Sequence, residues 1–340
     1  MCLQKLCLPI YLLLFWQPAW SQSSASVQLV GVGSTTPVVI YATWFREFQK
    51  THPNLHFSYM PSGSSDGIAL VSSGKADFGG TDVPMTSDQL GNAGVLQFPA
   101  VLGALVPVYN LPDAVGPLKF SPRVLAGIYL GRIKRWNDPA LVELNPEAQL
   151  PASKIIIFHS SEGRGSAYVW SDFLSKTSAE WRTRVGGGAH ITPPTGVPVA
   201  GNGRMAAAVK QTPNSFGYVW FGYALLYGLT YGPVQNAAGN FVTADSASVA
   251  AAAAAAGLKT MPADFRISIT NPPGERSYPI ASFTWLLLPG ATENTEKREA
   301  MRQFLFWMLS SGQDYAATFG FVPLPPAMVT RELEAIKKAE

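Results

Sequence analysis

Cysteine is nearly missing from this sequence: of 340 residues only Cys2 and Cys7 carry a thiol, and both lie in the first seven. Without that N-terminal stretch nothing remains for a disulfide, a zinc–thiolate site or a cysteine nucleophile. Charge is sparse as well, at 14% of residues, and neither sign prevails. Lys5 is the one charged residue before Val27, which leaves 24 basic against 22 acidic residues after it. Such a balance offers no electrostatic footprint for nucleic acid, so that class of partner is excluded. The chain also lacks a long hydrophobic run. The apolar stretch Leu6–Trp16 falls well short of the roughly 18 residues a spanning helix needs. No period of 20 to 50 residues recurs, which excludes repeat architectures. A Walker A loop is absent too, because Lys75 in "SSGKAD" has neither the following Ser or Thr nor the upstream glycine.

What is present starts with export. One lysine, an apolar run and the small residues of "AWSQSSA" read as a secretory signal over residues 1–25, with cleavage after Ser21 or Ala25. No cysteine follows the apolar run, so a diffusible periplasmic protein is expected rather than a lipid-anchored one. At 47% hydrophobic, the remainder is long enough for a sizeable core and about two domains.

From Val27 onward short β-like runs alternate with helical patterns, the signature of an α/β architecture with parallel pairing. "VQLVGVGSTTP" reads as strand, glycine turn and helix start, with Thr36 as N-cap and Pro37 at the first helical position. Ile40, Tyr41, Trp44, Phe45 and Phe48 then recur at helical spacing and are expected in the core. "LHFSYM" and "ADFGGTDVP" read as strands, and Thr86 with Gln89 as a capping box. The apolar strand in "VLGALVPVYNLPD" breaks at Pro112, where the chain is expected to leave one lobe for another. A late strand in "SYPIASFTWLLLP" returns it, followed by a helix from about Thr295 that buries Phe304, Trp307 and Met308. These boundaries give residues 26–110 and 279–340 to the first lobe and 111–278 to the second. The alanine run Val249–Ala256 reads as a plain surface helix with Gly257 as C-cap.

Three loops share one composition: "GVGSTT", "GSSDG" and "GRGS", each just before a helix. Helix-opening N–H groups lack intrahelical partners, and the dipole favours negative charge there. With the hydroxyls of Ser34, Thr35, Thr36, Ser64, Ser65 and Ser166, the loops together suit an oxyanion with several acceptor oxygens, although any one of them alone reads first as an ordinary hydroxyl N-cap. Arg164 adds a fixed charge in fork geometry, and Glu162 either steadies it or favours the helix start. Asp82 in "GGTDVP" would repel an anion, unless the anion carries a proton for the carboxylate to accept. Phosphate meets that condition and fully deprotonated sulfate does not. A hydrolase is the competing reading: "GSSDG" fits G-x-S-x-G with Ser65 as nucleophile and His159 or His190 as base.

With these residues in place, the chain resembles the periplasmic phosphate-binding family of ABC-type phosphate importers, from "GVGSTTPVVIYATW" through "ADFGGTDVP" to "SFGYVWFGYA". The segment "IYLGRIKRWNDPAL" is the most specific part of the match. The resemblance implies a two-lobed type 2 periplasmic binding protein fold, α/β in each lobe, with the ligand in the interlobe cleft. It implies a non-enzymatic monomer without cofactor or metal that binds inorganic phosphate and hands it to an inner-membrane permease. Sulfate, another tetrahedral oxyanion or an organic phosphate are the alternative ligands. By motif position the contacts fall on Thr35, Thr36, Ser64, Asp82, Arg164, Gly165 and Ser166. The chain departs from the family pattern in "HSSEGRGS": Ser160 takes the basic place, Glu162 the acidic one, and Arg164 stands for the first serine. Arg164 is therefore expected to replace the family's arginine from a new direction, with His159 as the other substitute. Thr36 stands where the family often has an aromatic residue.

Overall fold

The computed structural model describes residues 26–112, 116–257, 261–290 and 294–338, so the expected signal at residues 1–25 lies outside the described residues. No helix among the described residues is long and apolar enough to cross a membrane. The chain begins with β1 (Val27–Gly33), α1 (Val38–Gln49), β2 (Leu55–Pro61), α2 (Ser64–Ser72), β3 (Phe78–Thr81), α3 (Ser87–Ala93) and the long β4 (Val95–Asn110). It continues with α4 (Pro122–Tyr129), α5 (Pro139–Leu144), β5 (Ile156–Ser160), α6 (Gly165–Thr177), α7 (Ala179–Arg184), β6 (Val197–Val199), α8 (Asn202–Gln211), β7 (Ser215–Trp220) and α9 (Phe221–Tyr227). Three two-residue strands follow, β8 (Thr230–Tyr231), β9 (Val234–Gln235) and β10 (Phe241–Val242), then α10 (Ser246–Ala255), β11 (Ala281–Pro289), α11 (Thr295–Met308) and α12 (Pro326–Lys338).

One sheet runs through the molecule in the order β2-β1-β3-β11-β4-β7-β5-β6, with β8 also on β4. Its two ends are parallel, as the alternating pattern predicts: β1 with β2 and β3, and β5 with β6 and β7. The middle is antiparallel. Residues Val95–Ala104 of β4 pair with β11, and Leu105–Asn110 of the same strand pair with β7. The late apolar strand therefore inserts between β3 and β4, so that residues from the C-terminal quarter sit beside the end of β3.

The predicted aromatic stripe is core: Ile40, Tyr41, Trp44, Phe45 and Phe48 are all buried. Phe45 stacks on Phe57, and Phe304 of α11 packs against Trp44, Phe45 and Phe48. Burying each such ring contributes on the order of 2 kcal/mol. Phe304 and Met308 are buried as expected, whereas Trp307 is half-buried, stacked on Tyr315. The Thr86–Gln89 capping box forms in full.

Two local expectations are corrected. Thr36 is not the N-cap of α1: the cap position is Pro37 and has no side-chain cap, because the Thr36 hydroxyl donates to Asp82 instead. The alanine helix α10 is not a plain surface helix. Val249, Ala252 and Ala253 are buried, and Asp245 and Ser248 cap its start. Small side chains here permit close approach to the core. Ala256 caps the helix, and Gly257, at φ +73°, is the left-handed residue that follows.

Candidate functional site

The ends of β1 and β3 create the site. Gly33 has φ +139°, and a Cβ there would lie 2.1 Å from the Gly80 carbonyl oxygen, so only glycine lets the two strand ends lie side by side. Ser34 N–H then donates to Gly80 O at 2.7 Å, and the chain turns into α1 directly beside Asp82. Ser34 Oγ and Thr36 Oγ1 each donate to Asp82 Oδ2 at 2.7 Å. From β11, Thr284 Oγ1 donates to Asp82 Oδ1 at 2.7 Å. The Asp82 N–H in turn donates to Ser64 Oγ at 3.1 Å, on the first residue of α2.

Asp82 is 1% exposed. Burial pushes its carboxyl up to about 6, against the pull of the hydrogen bonds from Ser34, Thr36 and Thr284. The ring hydroxyls nearby are Tyr41, Tyr59 and Tyr223; burial drives their phenols upward and the Asp82 charge adds to it, so all three stay neutral. Among the described residues no cation is hydrogen-bonded to this carboxylate.

The far half of the sheet meets this cluster through α6. A Cβ on Gly165, the first residue of α6, would lie 2.3 Å from Asp82 Oδ2, so the glycine backbone lies directly against the carboxylate. Ser166 Oγ shares a 2.9 Å hydrogen bond with Ser160 Oγ, the serine in the family's basic place. The Arg164 guanidinium crosses to donate to Ser62 O in the loop before α2. Glu162 does not steady it, since its carboxylate accepts from Thr192 Oγ1 at 2.8 Å. His159 does not reach the cluster either; its Nδ1 lies 3.0 Å from Ser160 O and the residue is buried.

Thr36, Ser64 and Gly165 thus each meet Asp82. Thr35 is turned to the opposite wall, where its hydroxyl accepts from Asn202 Nδ2 at 3.1 Å and its carbonyl from Tyr223 OH at 2.7 Å. Asn202 Nδ2 also approaches Thr36 Oγ1 at 3.4 Å. Thr284, Asn202 and Tyr223 are not among the site residues named from the sequence. Thr284 hides within an apolar strand, and the other two carry no motif.

The competing hydrolase pair also comes together: Ser65 Oγ lies 3.0 Å from His190 Nε2. Ser65 N–H is occupied by Gly163 O at 3.1 Å, and no carboxylate stands behind the exposed His190 ring among the described residues. Among the described residues the pair lacks the orienting third group that acyl transfer uses. Among the described residues no group of three His, Cys, Asp or Glu side chains could hold a metal ion.

Helix starts separate this region from the rest of the molecule. Side chains cap α3, α4, α5, α7, α10 and α11 through Thr86, Ser121, Asp138, Ser178, Asp245 and Asn294. The starts of α1, α2 and α6, which meet at Asp82, have no side-chain cap; nor do α8 and α9, whose Asn202 and Tyr223 reach Thr35. Uncapped helix-opening N–H groups are donors of the kind that suits an anion, and of those on α2 the Ser65 N–H is already taken by Gly163 O.

The PBP superfamily domain matches residues 20–311. The phosphate-binding protein PstS of Xylella fastidiosa is 37% identical over 324 residues, 95% of this chain and 88% of that protein. Its counterpart from Haemophilus influenzae is 39% identical over 303 residues, 89% of this chain and 90% of that protein. The crystal structure of a phosphate-binding protein from Stenotrophomonas maltophilia superposes with a TM-score of 0.70 at 18% identity, covering 91% of this chain and 94% of that one. The fold is the two-lobed, α/β, type 2 periplasmic binding protein fold.

Proposed function

We propose, because the chain belongs to the PstS phosphate-binding family of the PBP superfamily, that it captures inorganic phosphate between its lobes and delivers it, without chemistry, to the membrane permease of an ABC-type importer. The observation that carries this reading is the meeting of three uncapped helix starts with one buried carboxylate. Helix N-termini attract an anion, and an acceptor-only carboxylate among them admits only an anion that brings a proton. A phosphate that still carries a proton fits both demands, while sulfate meets the second with repulsion.

In this reading residues 26–110 and 279–340 form one lobe and 111–278 the other. Thr35, Thr36, Ser64 and Asp82 hold the anion from the first lobe; Arg164, Gly165 and Ser166 close on it from the second. The contacts of Asn202, Tyr223 and Arg164 with the opposite lobe belong to the closed form, and ligand that binds this form better draws the lobes together. Export through the signal at residues 1–25 places the protein in the periplasm. The Ser65–His190 contact serves closure rather than catalysis.

Titration calorimetry with phosphate and sulfate tests the assignment. Above pH 6 phosphate should bind at least 100-fold tighter than sulfate, a difference of roughly 3 kcal/mol and within reach of one or two charge-assisted hydrogen bonds. The sign of the pH dependence follows from Asp82, whose carboxyl is held near 6. Above that pH it is ionised and rejects sulfate; as pH falls through it, Asp82 gains a proton to donate and the discrimination fades. Equal binding of both anions at pH 8, or of neither, would overturn the assignment.

Arg164 gives a second expected result. Its guanidinium bridges from the start of α6 to the carbonyl of Ser62. R164A is expected to weaken phosphate binding about tenfold or more, the scale of one hydrogen bond from a charged donor, with little change in melting temperature without ligand. Unchanged titration affinity would remove Arg164 from the site.

A further inference from the structure

We propose that Thr284 is a specificity-determining residue: by donating to Asp82 Oδ1 it keeps that carboxylate oriented and ionised as an acceptor, and so sets the preference for a protonated over a fully deprotonated oxyanion. The inference rests on the phosphate reading above and deepens it.

Three features single out Thr284. The first is placement. Trp285 pairs with Thr81 in the antiparallel β11–β3 ladder, which puts Thr284 one step further along, level with Asp82. Its hydroxyl reaches Oδ1 at 2.7 Å, and the residue is fully buried. The second is a backbone irregularity at this residue. Along β4 the partner of β11 jumps from Val101, opposite Thr284, to Pro99, opposite Trp285. Ala100 is the extra residue of this bulge, and its carbonyl is satisfied by Gln313 Nε2 at 3.0 Å. Bulges re-aim side chains beside functional sites, and this one lies at the single hydroxyl that β11 sends to the carboxylate.

The third feature is a division of labour between the two carboxylate oxygens. Oδ2 takes Ser34 and Thr36, both on the loop that would engage the ligand. Oδ1 takes Thr284, on a mid-sheet strand outside every anion-binding loop. When ligand draws the loop hydroxyls away, Thr284 is the donor that remains. Among the described residues no other side chain donates to Oδ1. The titratable groups facing Asp82 are the neutral phenols of Tyr41 on α1, Tyr59 on β2 and Tyr223 on α9, while α6 presents Gly165 and α2 presents Ser64. Burial already lifts the Asp82 carboxyl, and Thr284 is one of three hydroxyls working against that lift.

The test uses the full chain and its T284V and T284S variants, titrated with phosphate and with sulfate from pH 5.5 to 8.5. Valine keeps the shape and removes the hydroxyl; serine keeps the hydroxyl. T284V should lower the phosphate-to-sulfate affinity ratio about tenfold at pH 7 and move the onset of sulfate rejection up by about one pH unit, with T284S close to the natural chain. A ratio and pH profile unchanged in T284V would overturn the proposal. So would a loss shared equally by T284S, which would mean packing rather than the hydroxyl. If T284V does not fold, T284A provides the same comparison. A natural chain that binds no phosphate refutes the phosphate reading itself, an outcome distinct from either result with the variants.

Discussion

Replacing Gly165 with alanine is expected to cut phosphate affinity at least 100-fold while the ligand-free protein still folds. The added methyl carbon would lie 2.3 Å from Asp82 Oδ2, 2.4 Å from its Cβ and 2.7 Å from its Cγ. Asp82 has no room to yield, because Ser34, Thr36 and Thr284 hold both oxygens and its N–H is bound to Ser64. Relief therefore requires α6 to withdraw from β3, and that movement opens the cleft. Overpacking of a tight contact costs on the order of 1–3 kcal/mol, and the hydrogen bonds given up by withdrawal add to it. Calorimetric titration measures the loss, and small-angle scattering should show G165A remaining open with phosphate present. Affinity within threefold of the natural chain would contradict the close approach of α6 to Asp82.

Glu332 carries the second large effect, one on stability. It lies on α12, is fully buried, and neither carboxyl oxygen has a hydrogen-bond partner among the described residues. Burial pushes its carboxyl well above the ordinary 4.5. The folded state therefore holds this proton more tightly than the unfolded chain does. Its favourable contribution is complete below about pH 4.5 and is lost as pH rises through the raised value. E332Q and E332L should both raise the melting temperature at pH 8 by several degrees, corresponding to about 1–3 kcal/mol for an unpaired buried polar group. At pH 4 the gain should shrink markedly for E332Q. Scanning calorimetry at the two pH values decides; a destabilised E332L at pH 8 would mean that the carboxyl has a partner.

The sequence makes visible whatever depends on neighbours along the chain. The Thr86–Gln89 capping box and the Ile40–Phe48 stripe are local chemistry and local spacing, and both form. Asp82 stands out as a carboxylate at the end of a buried strand, and the glycine-rich loops before α2 and α6 advertise their helix starts. What is hidden depends on distant pairing. Thr284 sits in "SFTWLLLP", a run that reads as buried strand and nothing more, and acquires its role only because β11 inserts between β3 and β4. Thr36 shows the reverse error: by local chemistry it is an N-cap, yet a carboxylate 46 residues away claims its hydroxyl. Glu162 and Arg164 are adjacent enough in sequence to suggest a pair, but the turn sends one to Thr192 and the other to Ser62.

Strand β4 carries hydrogen-bond ladders for both halves of the sheet, changing partner between Ala104 and Leu105 without a break in the strand. The lobes are therefore not beads on a slack tether. In the reading proposed above, opening would have to twist this shared strand as well as the second crossing near residue 279, so the clamp is braced by sheet hydrogen bonds where it must flex.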